Sequence, residues 1–355
     1  MDPSLNSETN EEIIEIKEET KEFKQFDIVG DYLDHHFKKA NLSGNKGHSL
    51  IINNTGKVRN KIAREWKILQ ENLPESIYVR VYEGRIDLLR AAIIGAAGTP
   101  YHDGLFFFDI LFPSDYPAQP PSLYFHSYGL QINPNLYADG SVCLSLLNTW
   151  IGKKHERWNP SESTILQVLL SIQALVLNEK PYFNEPFMFG FGSNKKSLTY
   201  NMNTFVLSCK MMMYVLRKPP LHFEDFVAAH FRERAHGILM ASKAYMDSFP
   251  NIDCLVSNGS LFSSTATANK PENFKMAMSL FYPELVKAFA MTGASVGTFV
   301  EQVRKDEEES PSISQAVTNK KFGFTGKIFN KFRKILQNPN FNLDSCLSGL
   351  KNARN

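Results

Sequence analysis

Residues 105–121 read LFFFDILFPSDYPAQPP, an apolar run that ends in a cluster of prolines. Successive side chains of an extended chain point to opposite faces, and here both faces are largely apolar. The run therefore predicts a central strand over residues 105–112 with both faces buried. The prolines fix the backbone φ angle, so a stiff turn should follow this strand.

Further strand-like segments surround this one. They are rich in β-branched, aliphatic or aromatic side chains, and short connections with Gly and Pro separate them. The segments cover residues 77–82, 88–94 and 122–125. Together with the central strand they predict a four-stranded antiparallel meander.

A helix is predicted on each side of the meander. Before it, apolar residues recur every three or four positions from Val58 to Leu73, and Pro74 ends the pattern. After it and a long loop, Ser163 or Thr164 can cap a second helix. An N-terminal helix, a meander, a long loop and further helices together predict an α+β fold.

Outside this core the composition changes, and we divide the chain into four parts. These are an acidic, largely disordered N-terminal tail and linker at 1–56, the core at 57–220, a mostly helical extension at 221–304, and a linker with a basic amphipathic tail at 305–355. Within the first part, residues 23–40 contain several aromatic side chains and could form a short docking segment. Three helical stretches are predicted at 197–216, 223–248 and 271–303.

Composition excludes several classes of function. The net charge of +2, from 39 basic and 37 acidic residues, provides no strong field for nucleic acid or an acidic membrane. No apolar run is long enough to span a membrane, and the N-terminus does not resemble a secretion signal. The four cysteines lie far apart, which indicates a reducing compartment without disulfides or a structural metal. We expect a cytoplasmic or nuclear protein without a cofactor.

Two neighbouring histidines, His35 and His36, offer a weak metal candidate. Adjacent side chains point apart on a helix or a strand, so ordinary surface histidines are the simpler interpretation.

The long loop contains the most reactive residue type of the core. Residues 132–144 read INPNLYADGSVCL. A lone cysteine between valine and leucine is usually a buried small residue. A turn-rich loop that borders a meander can, however, give the Cys143 thiol partial exposure and polar neighbours.

Across residues 58–187 the order and spacing of several motifs resemble the ubiquitin-conjugating enzyme family. The family's His-Pro-Asn signature, followed eight residues later by the thioester cysteine, is similar to Asn133-Pro134-Asn135 and Cys143. Three more motifs stand in register with it: Gly95 with TPYHDG at 99–104, FPSDYPAQPP at 112–121, and WNP at 158–160 before the second helix.

The resemblance implies an acyl transfer. Cys143 would receive ubiquitin from an activating enzyme as a thioester, and a lysine amine of a substrate protein would then attack it. Asn135 would stabilise the oxyanion that forms during this attack. An asparagine that only closes a turn is the alternative for Asn135, and both roles can coexist. Ubiquitin, its activating enzyme, a ubiquitin ligase and substrate proteins are the implied partners.

This sequence also departs from the family's pattern. Asn133 replaces the usual histidine, which puts that residue's loop-bracing hydrogen bonds in doubt. Ser145 stands where many members carry aspartate. Glu185 falls where the family often has an acidic residue near the incoming lysine, although a solvated surface carboxylate is an equal alternative. We group Glu185, Ser145 and Asn133 as the candidate environment of the acceptor lysine.

The segment between Cys143 and Trp158 is longer than in minimal members of the family. This enlarged loop, residues 147–157, resembles a set of plant conjugating enzymes and the large hybrid conjugating-and-ligating enzymes.

Two other hypotheses remain open. A silent variant of the fold would bind ubiquitin without forming a thioester, and the departures at Asn133 and Ser145 keep this alternative. A cysteine hydrolase would need a histidine base, for which His102, His126 and His155 are available, although none lies in a recognisable motif.

Overall fold

The computed structural model describes residues 23–40, 56–150, 152–185, 194–248 and 272–309. These residues form an α+β fold around a five-stranded sheet, with a helical C-terminal extension. The strands are β1 (Phe26–Val29), β2 (Ile77–Tyr82), β3 (Arg85–Ile94), β4 (Leu105–Leu111) and β5 (Ser122–Phe125). The helices are α1 (Gly56–Asn72), α2 (Ile165–Ser171), α3 (Asn194–Arg217), α4 (Glu224–Ser248), α5 (Glu272–Ala290) and α6 (Gly297–Glu309).

Strands β2 to β5 form the predicted antiparallel meander, in the order β1-β2-β3-β4-β5. Strand β4 pairs with β3 from Leu88 opposite Leu111 to Ile94 opposite Leu105, and its other edge pairs with β5. Every residue of β4 except Leu111 is buried. The prediction of a central strand is confirmed.

Glu65 of α1 connects three elements of the core with one buried carboxylate. It accepts hydrogen bonds from the Tyr116 hydroxyl at 2.8 Å and from the Ile165 N–H at 3.0 Å. Lys61 lies 3.1 Å from the same carboxylate. Since Tyr116 belongs to the proline-rich turn and Ile165 begins α2, Glu65 sets the position of both. Thr164 caps α2 as predicted, accepting from the Gln167 N–H at 3.2 Å.

The N-terminal segment of residues 23–40 docks on the sheet and supplies a fifth strand that the prediction lacked. Strand β1 pairs in parallel with β2, from Phe26 opposite Val79 to Val29 opposite Tyr82. Behind it, Asp34 accepts from Arg90 at 2.7 Å and from the Leu221 N–H at 3.0 Å. A four-residue strand that pairs about fifty positions away leaves no local signal, which is why the meander alone was predicted.

Neither interpretation of the two histidines was right for His35. Its side chain is 0% exposed, and its Nε2 lies 3.1 Å from the Leu89 carbonyl oxygen, so it is a core residue. Burial lowers the pKa of His35 below the ordinary value. The His36 ring stacks on Tyr124 at 3.6 Å. Within the described ranges, no group of three or more potential metal-binding side chains occurs.

The helical extension differs from its prediction in two respects. The predicted helix at 271–303 is two helices, α5 and α6, because the chain turns between them at Gly293, whose φ of +79° favours glycine. Helix α6 also continues to Glu309, beyond the predicted boundary at 304. The other two predicted helices, at 197–216 and 223–248, are confirmed as α3 and α4.

The extension packs on the sheet through aromatic side chains. The Phe223 ring lies 5.2 Å from Phe107 of β4, and the Phe226 ring lies 4.2 Å from Tyr78 of β2. Phe23 of the N-terminal segment stacks on Phe226 at 4.9 Å. The core, the N-terminal segment and α4 therefore share one apolar cluster.

No helix among the described residues is both long enough and apolar enough to cross a membrane. Residues 1–22 and 41–55 of the predicted N-terminal tail and linker, and residues 310–355 of the predicted C-terminal linker and basic amphipathic tail, lie outside the described residues.

Candidate active site

The loop after β5 doubles back so that Cys143 lies opposite Asn135. An isolated antiparallel bridge pairs Leu136 with Val142 across its two arms, and the turn between them includes Gly140 at a φ of +90°. A Cβ atom at Gly140 would lie 2.1 Å from the ring of Tyr124, so only glycine fits there. This return of the chain accounts for the eight-residue spacing between the asparagine and the cysteine.

Two hydrogen bonds join the opposed residues. The Cys143 N–H donates to the Asn135 carbonyl oxygen at 2.9 Å, and the Asn135 side-chain amide donates to the Cys143 carbonyl oxygen at 2.8 Å. Asn135 is 7% exposed. Since a side-chain amide has two N–H donors, one of them remains for another acceptor.

The Cys143 thiol is half-buried and interacts with the Tyr137 hydroxyl. Burial raises the pKa of the thiol above its ordinary value. The hydrogen bond from Tyr137 acts in the opposite direction, and the charge of Asp139 adds to the rise. The thiol is therefore mostly protonated at neutral pH, and its reactivity should increase as the pH rises.

Tyr137 is a candidate site residue that the sequence analysis missed. Burial is the largest cause of a raised pKa of the Tyr137 hydroxyl. The Cys143 thiol raises this pKa further, and the Glu185 carboxylate adds a smaller rise. In the sequence, the signal for Tyr137 was its position two residues after Asn135. Glu185 itself is exposed, and its charge contributes to the raised pKa of Tyr137.

Asn133 braces the loop from inside. Its side-chain amide donates to the Tyr101 hydroxyl at 2.8 Å and to the Val176 carbonyl oxygen at 2.7 Å, and its Oδ1 accepts from the Asn135 N–H at 2.8 Å. Asn133 therefore makes the loop-bracing hydrogen bonds that were in doubt because the family's histidine is absent. With 0% exposure, Asn133 offers no surface to an acceptor lysine, so we assign it to bracing instead.

Helix α2 presents the Val176 carbonyl to this network through an unusual last turn. Residues Ile172–Val176 form a π-helical turn that follows α2 directly. The same carbonyl accepts from the Asn184 amide at 3.1 Å, and Asn178 donates to Asn184 at 2.7 Å. These hydrogen bonds attach the segment that ends at Glu185 to the loop that carries Asn133 and Asn135.

Ser145 and the enlarged loop follow Cys143 along the chain. Ser145 begins a short 3₁₀ turn, Ser145–Leu147, and is half-buried. A groove of about 500 Å³ follows, lined by Asn148, Thr149, Trp150 and Arg157.

The three histidines of the hydrolase hypothesis are engaged elsewhere. His102 lies 2.8 Å from Asp103, and His126 lies 3.0 Å from Asp109. His155 is an exposed residue beside Glu156.

Comparisons with known proteins show which family this chain resembles. Residues 61–205 match the family model described as "Ubiquitin-conjugating enzyme". The putative ubiquitin-conjugating enzyme E2 38 of Arabidopsis thaliana is 50% identical over 286 residues, which cover 78% of this chain and 84% of that relative. The dual E2 ubiquitin-conjugating enzyme/E3 ubiquitin-protein ligase BIRC6 of Homo sapiens is 40% identical over 186 residues, or 48% of this chain and 4% of BIRC6.

Some relatives are much longer than this chain. The probable ubiquitin-conjugating enzyme E2 24 of Arabidopsis thaliana is 48% identical over 296 residues, which cover 81% of this chain but 31% of that relative. The chain therefore spans about a third of the length of E2 24.

Proposed function

Because the chain belongs to the ubiquitin-conjugating enzyme family, we propose that it accepts ubiquitin from an activating enzyme as a thioester on Cys143 and transfers it to a substrate lysine or to a ligase. The similarity to plant enzymes named as ubiquitin-conjugating supports a transferase of this type. The protein partners and a cytoplasmic or nuclear location remain predictions.

The observation that supports this proposal most directly is the pairing of Cys143 with Asn135. The half-buried Cys143 is bonded through its backbone to an asparagine whose position is set by hydrogen bonds at its backbone N–H, its carbonyl and its side chain. The proposal assigns the oxyanion of a Cys143 thioester to the remaining N–H donor of Asn135.

The proposed reaction has two transfers. In the first, the Cys143 thiolate attacks the thioester carbonyl that joins ubiquitin to the activating enzyme, and the activating enzyme's thiolate leaves. In the second, a neutral lysine amine attacks the new thioester, an isopeptide bond forms, and the Cys143 thiolate leaves. The oxyanion of the second transfer is the charge that Asn135 would stabilise.

The acceptor lysine must lose a proton during the second transfer. Glu185 is exposed and acts on Tyr137, so we propose that it receives or orients this lysine, with Tyr137 beside the thioester. The reaction needs neither a metal nor a cofactor.

A thioester assay tests the proposal. The chain is incubated with activating enzyme, ATP and ubiquitin, and we expect an adduct of ubiquitin size that a reductant removes. Cys143→Ala should abolish this adduct. Cys143→Ser should retain ubiquitin as an oxyester that resists the reductant, because an alkoxide is a poorer leaving group than a thiolate.

Cys209→Ser is the matched control. Cys209 is fully buried in α3, and burial raises its pKa to about 12, so it should not take part in loading. A reducible adduct on Cys143→Ala would contradict the assignment of the cysteine. Binding of ubiquitin by the wild-type chain without any adduct would instead support the silent variant.

A further inference from the structure

The enlarged loop contacts the backbone on both sides of the reactive cysteine through one hydroxyl group. Thr149 Oγ1 accepts a hydrogen bond from the Leu144 N–H at 2.9 Å and lies 2.8 Å from the Val142 carbonyl oxygen, to which it donates. Val142 is 5% exposed and Leu144 is 7% exposed. Thr149 itself is exposed, and its hydroxyl satisfies one backbone donor and one backbone acceptor of two buried residues.

The direction of these bonds follows from the extended backbone. Leu144 has a φ of −146° and a ψ of 134°, and successive residues of such a chain direct their backbone polar groups to opposite sides. Cys143 directs its N–H and C=O to Asn135. Its two neighbours direct theirs to Thr149. The cysteine backbone is therefore held between the asparagine on one edge and the threonine on the other.

A second contact fixes the same loop near the cysteine. Gly152 packs so closely on Ser145 that a Cβ atom at Gly152 would lie 2.4 Å from the Ser145 Oγ. Arg157 donates to the Gly152 carbonyl oxygen at 3.0 Å, and Glu156 accepts from the Lys153 N–H at 2.8 Å. The loop is thus anchored to the cysteine segment at two points rather than extending from it freely.

We infer that Thr149 is a positioning residue of the transfer reaction, through which the enlarged loop holds the Cys143 thioester in line with Asn135. This inference rests on the proposed function. An extended segment with hydrogen bonds along only one edge can rotate about that edge. The rotation would move the Cys143 side chain. Bonds on both edges prevent this rotation, and a shift of about 1 Å at a reacting group is enough to slow a reaction strongly.

The test compares Thr149→Val with Thr149→Ser in the full-length chain. Valine keeps the shape of threonine and removes the hydroxyl, whereas serine keeps the hydroxyl. Each variant is loaded with ubiquitin, and its discharge to free lysine is measured over a range of lysine concentrations. Thr149→Val leaves the Leu144 N–H and the Val142 carbonyl oxygen without the hydroxyl. We expect a maximal discharge rate about five- to thirtyfold lower, as a loss of about 1 to 2 kcal/mol would give. The lysine concentration at half-maximal rate should not change, and Thr149→Ser should restore the rate.

Thr199→Val is the control for loss of a threonine hydroxyl elsewhere. Its Oγ1 donates to the Lys195 carbonyl oxygen within α3, on an exposed face, so discharge should stay at the wild-type rate. If Thr149→Val does not fold, Gly152→Ala replaces it, since it displaces the loop at Ser145 and leaves the hydroxyl in place. We expect Gly152→Ala to slow discharge in the same way.

Three results separate the hypotheses. A wild-type discharge rate in Thr149→Val, or in Gly152→Ala where that variant is used, overturns the positioning role. Equal losses of loading, discharge and thermal stability also overturn it, because they indicate a merely structural residue. Failure of the wild-type chain to load ubiquitin at all is a failure of the proposed function instead.

Discussion

Asn135 illustrates how one side chain can combine two roles. Its amide donates to the Cys143 carbonyl oxygen, and its backbone N–H donates to Asn133. The interpretation as a turn-closing residue therefore has direct contacts in its favour. The second N–H of the amide is the group available for the oxyanion, so the two roles make separate demands on the same residue.

The variant Asn135→Ala separates these roles. If the amide stabilises the oxyanion, the reducible ubiquitin adduct should still form, since the nucleophile remains. Its discharge to free lysine should then be about a hundredfold to a thousandfold slower, as for removal of one oxyanion donor. Single-turnover loading and discharge are measured separately. A variant with lower thermal stability in which both rates fall together would show that Asn135 acts only through the structure of the loop.

Asp109 shows how a charged network attaches a short strand segment to the sheet. It lies on β4 at 0% exposure, and Arg90 of β3 donates to it at 2.6 Å. The His36 N–H of the N-terminal segment donates to the same carboxylate at 2.7 Å. Burial acts to raise the pKa of Asp109, but the hydrogen bonds and charges of His126 and Arg90 outweigh it and hold the pKa well below its usual range.

Asp109→Asn should destabilise the fold strongly. The Arg90 guanidinium is 0% exposed, and it would keep only Asp34 as a charged partner. Removing one partner of a buried pair typically costs about 3 to 5 kcal/mol. Urea unfolding measures the change, and the midpoint should fall while the m-value stays constant.

Asp27→Asn serves as the comparison for the Asp109 variant. Asp27 lies on β1 and pairs with Lys24 at 3.4 Å on the surface, so its removal should change the free energy of unfolding by less than about 1 kcal/mol. Equal effects of the two variants would show that the buried network does not attach the segment.

The connection between β3 and β4, residues 95–104, lies between helix α4 and the loop that carries Asn133, Asn135 and Cys143. His230 Nε2 lies 2.8 Å from the Asp103 carbonyl oxygen, and Arg234 donates to the Asp103 carboxylate at 2.8 Å. Next in the chain, His102 contacts Tyr245 of α4 at 3.2 Å, and the Tyr101 hydroxyl accepts from Asn133. The connection between β3 and β4 therefore contacts α4 on one side and the active loop on the other.

This connection predicts a loss of stability in mild acid. Burial lowers the pKa of His230 to about 4, opposed by its bond to Asp103, whereas an unfolded histidine titrates near 6.5. The unfolded chain binds more protons between these values, so stability is fully present above about pH 6.5 and is lost as the pH falls toward 4. Between pH 7 and pH 5 the loss from His230 should be about 2 kcal/mol.

The variant His230→Gln identifies this contribution. Glutamine can donate to the same carbonyl but does not titrate, so its free energy of unfolding should depend less on pH than that of the wild type. Urea unfolding at pH 7, 6 and 5 gives the comparison. Buried His35, whose pKa is also lowered, should leave some pH dependence in both proteins. Parallel curves for the two proteins would contradict the prediction.

Much of this fold can be derived from local patterns in the chain. The apolar run along residues 105–112 and the period of three to four along α1 depend only on near neighbours. Strands β2 and β5 and the end of α1 lie where such local patterns predict them. The proline at 74 and the cap at Thr164 also act within one turn of the chain. The spacing of Asn135 and Cys143 likewise identified the candidate site without knowledge of the fold.

Tertiary structure alone decided which groups surround that site. Strand β1 exists because a distant strand accepts its hydrogen bonds, and His35 is buried because the segment that carries it docks. The bracing of Asn133 by Tyr101 and Val176, and the bonds of Thr149 on both sides of Cys143, join residues that no periodicity relates. Local periodicity reports which face of an element is apolar, whereas these contacts depend on how separate elements meet in space.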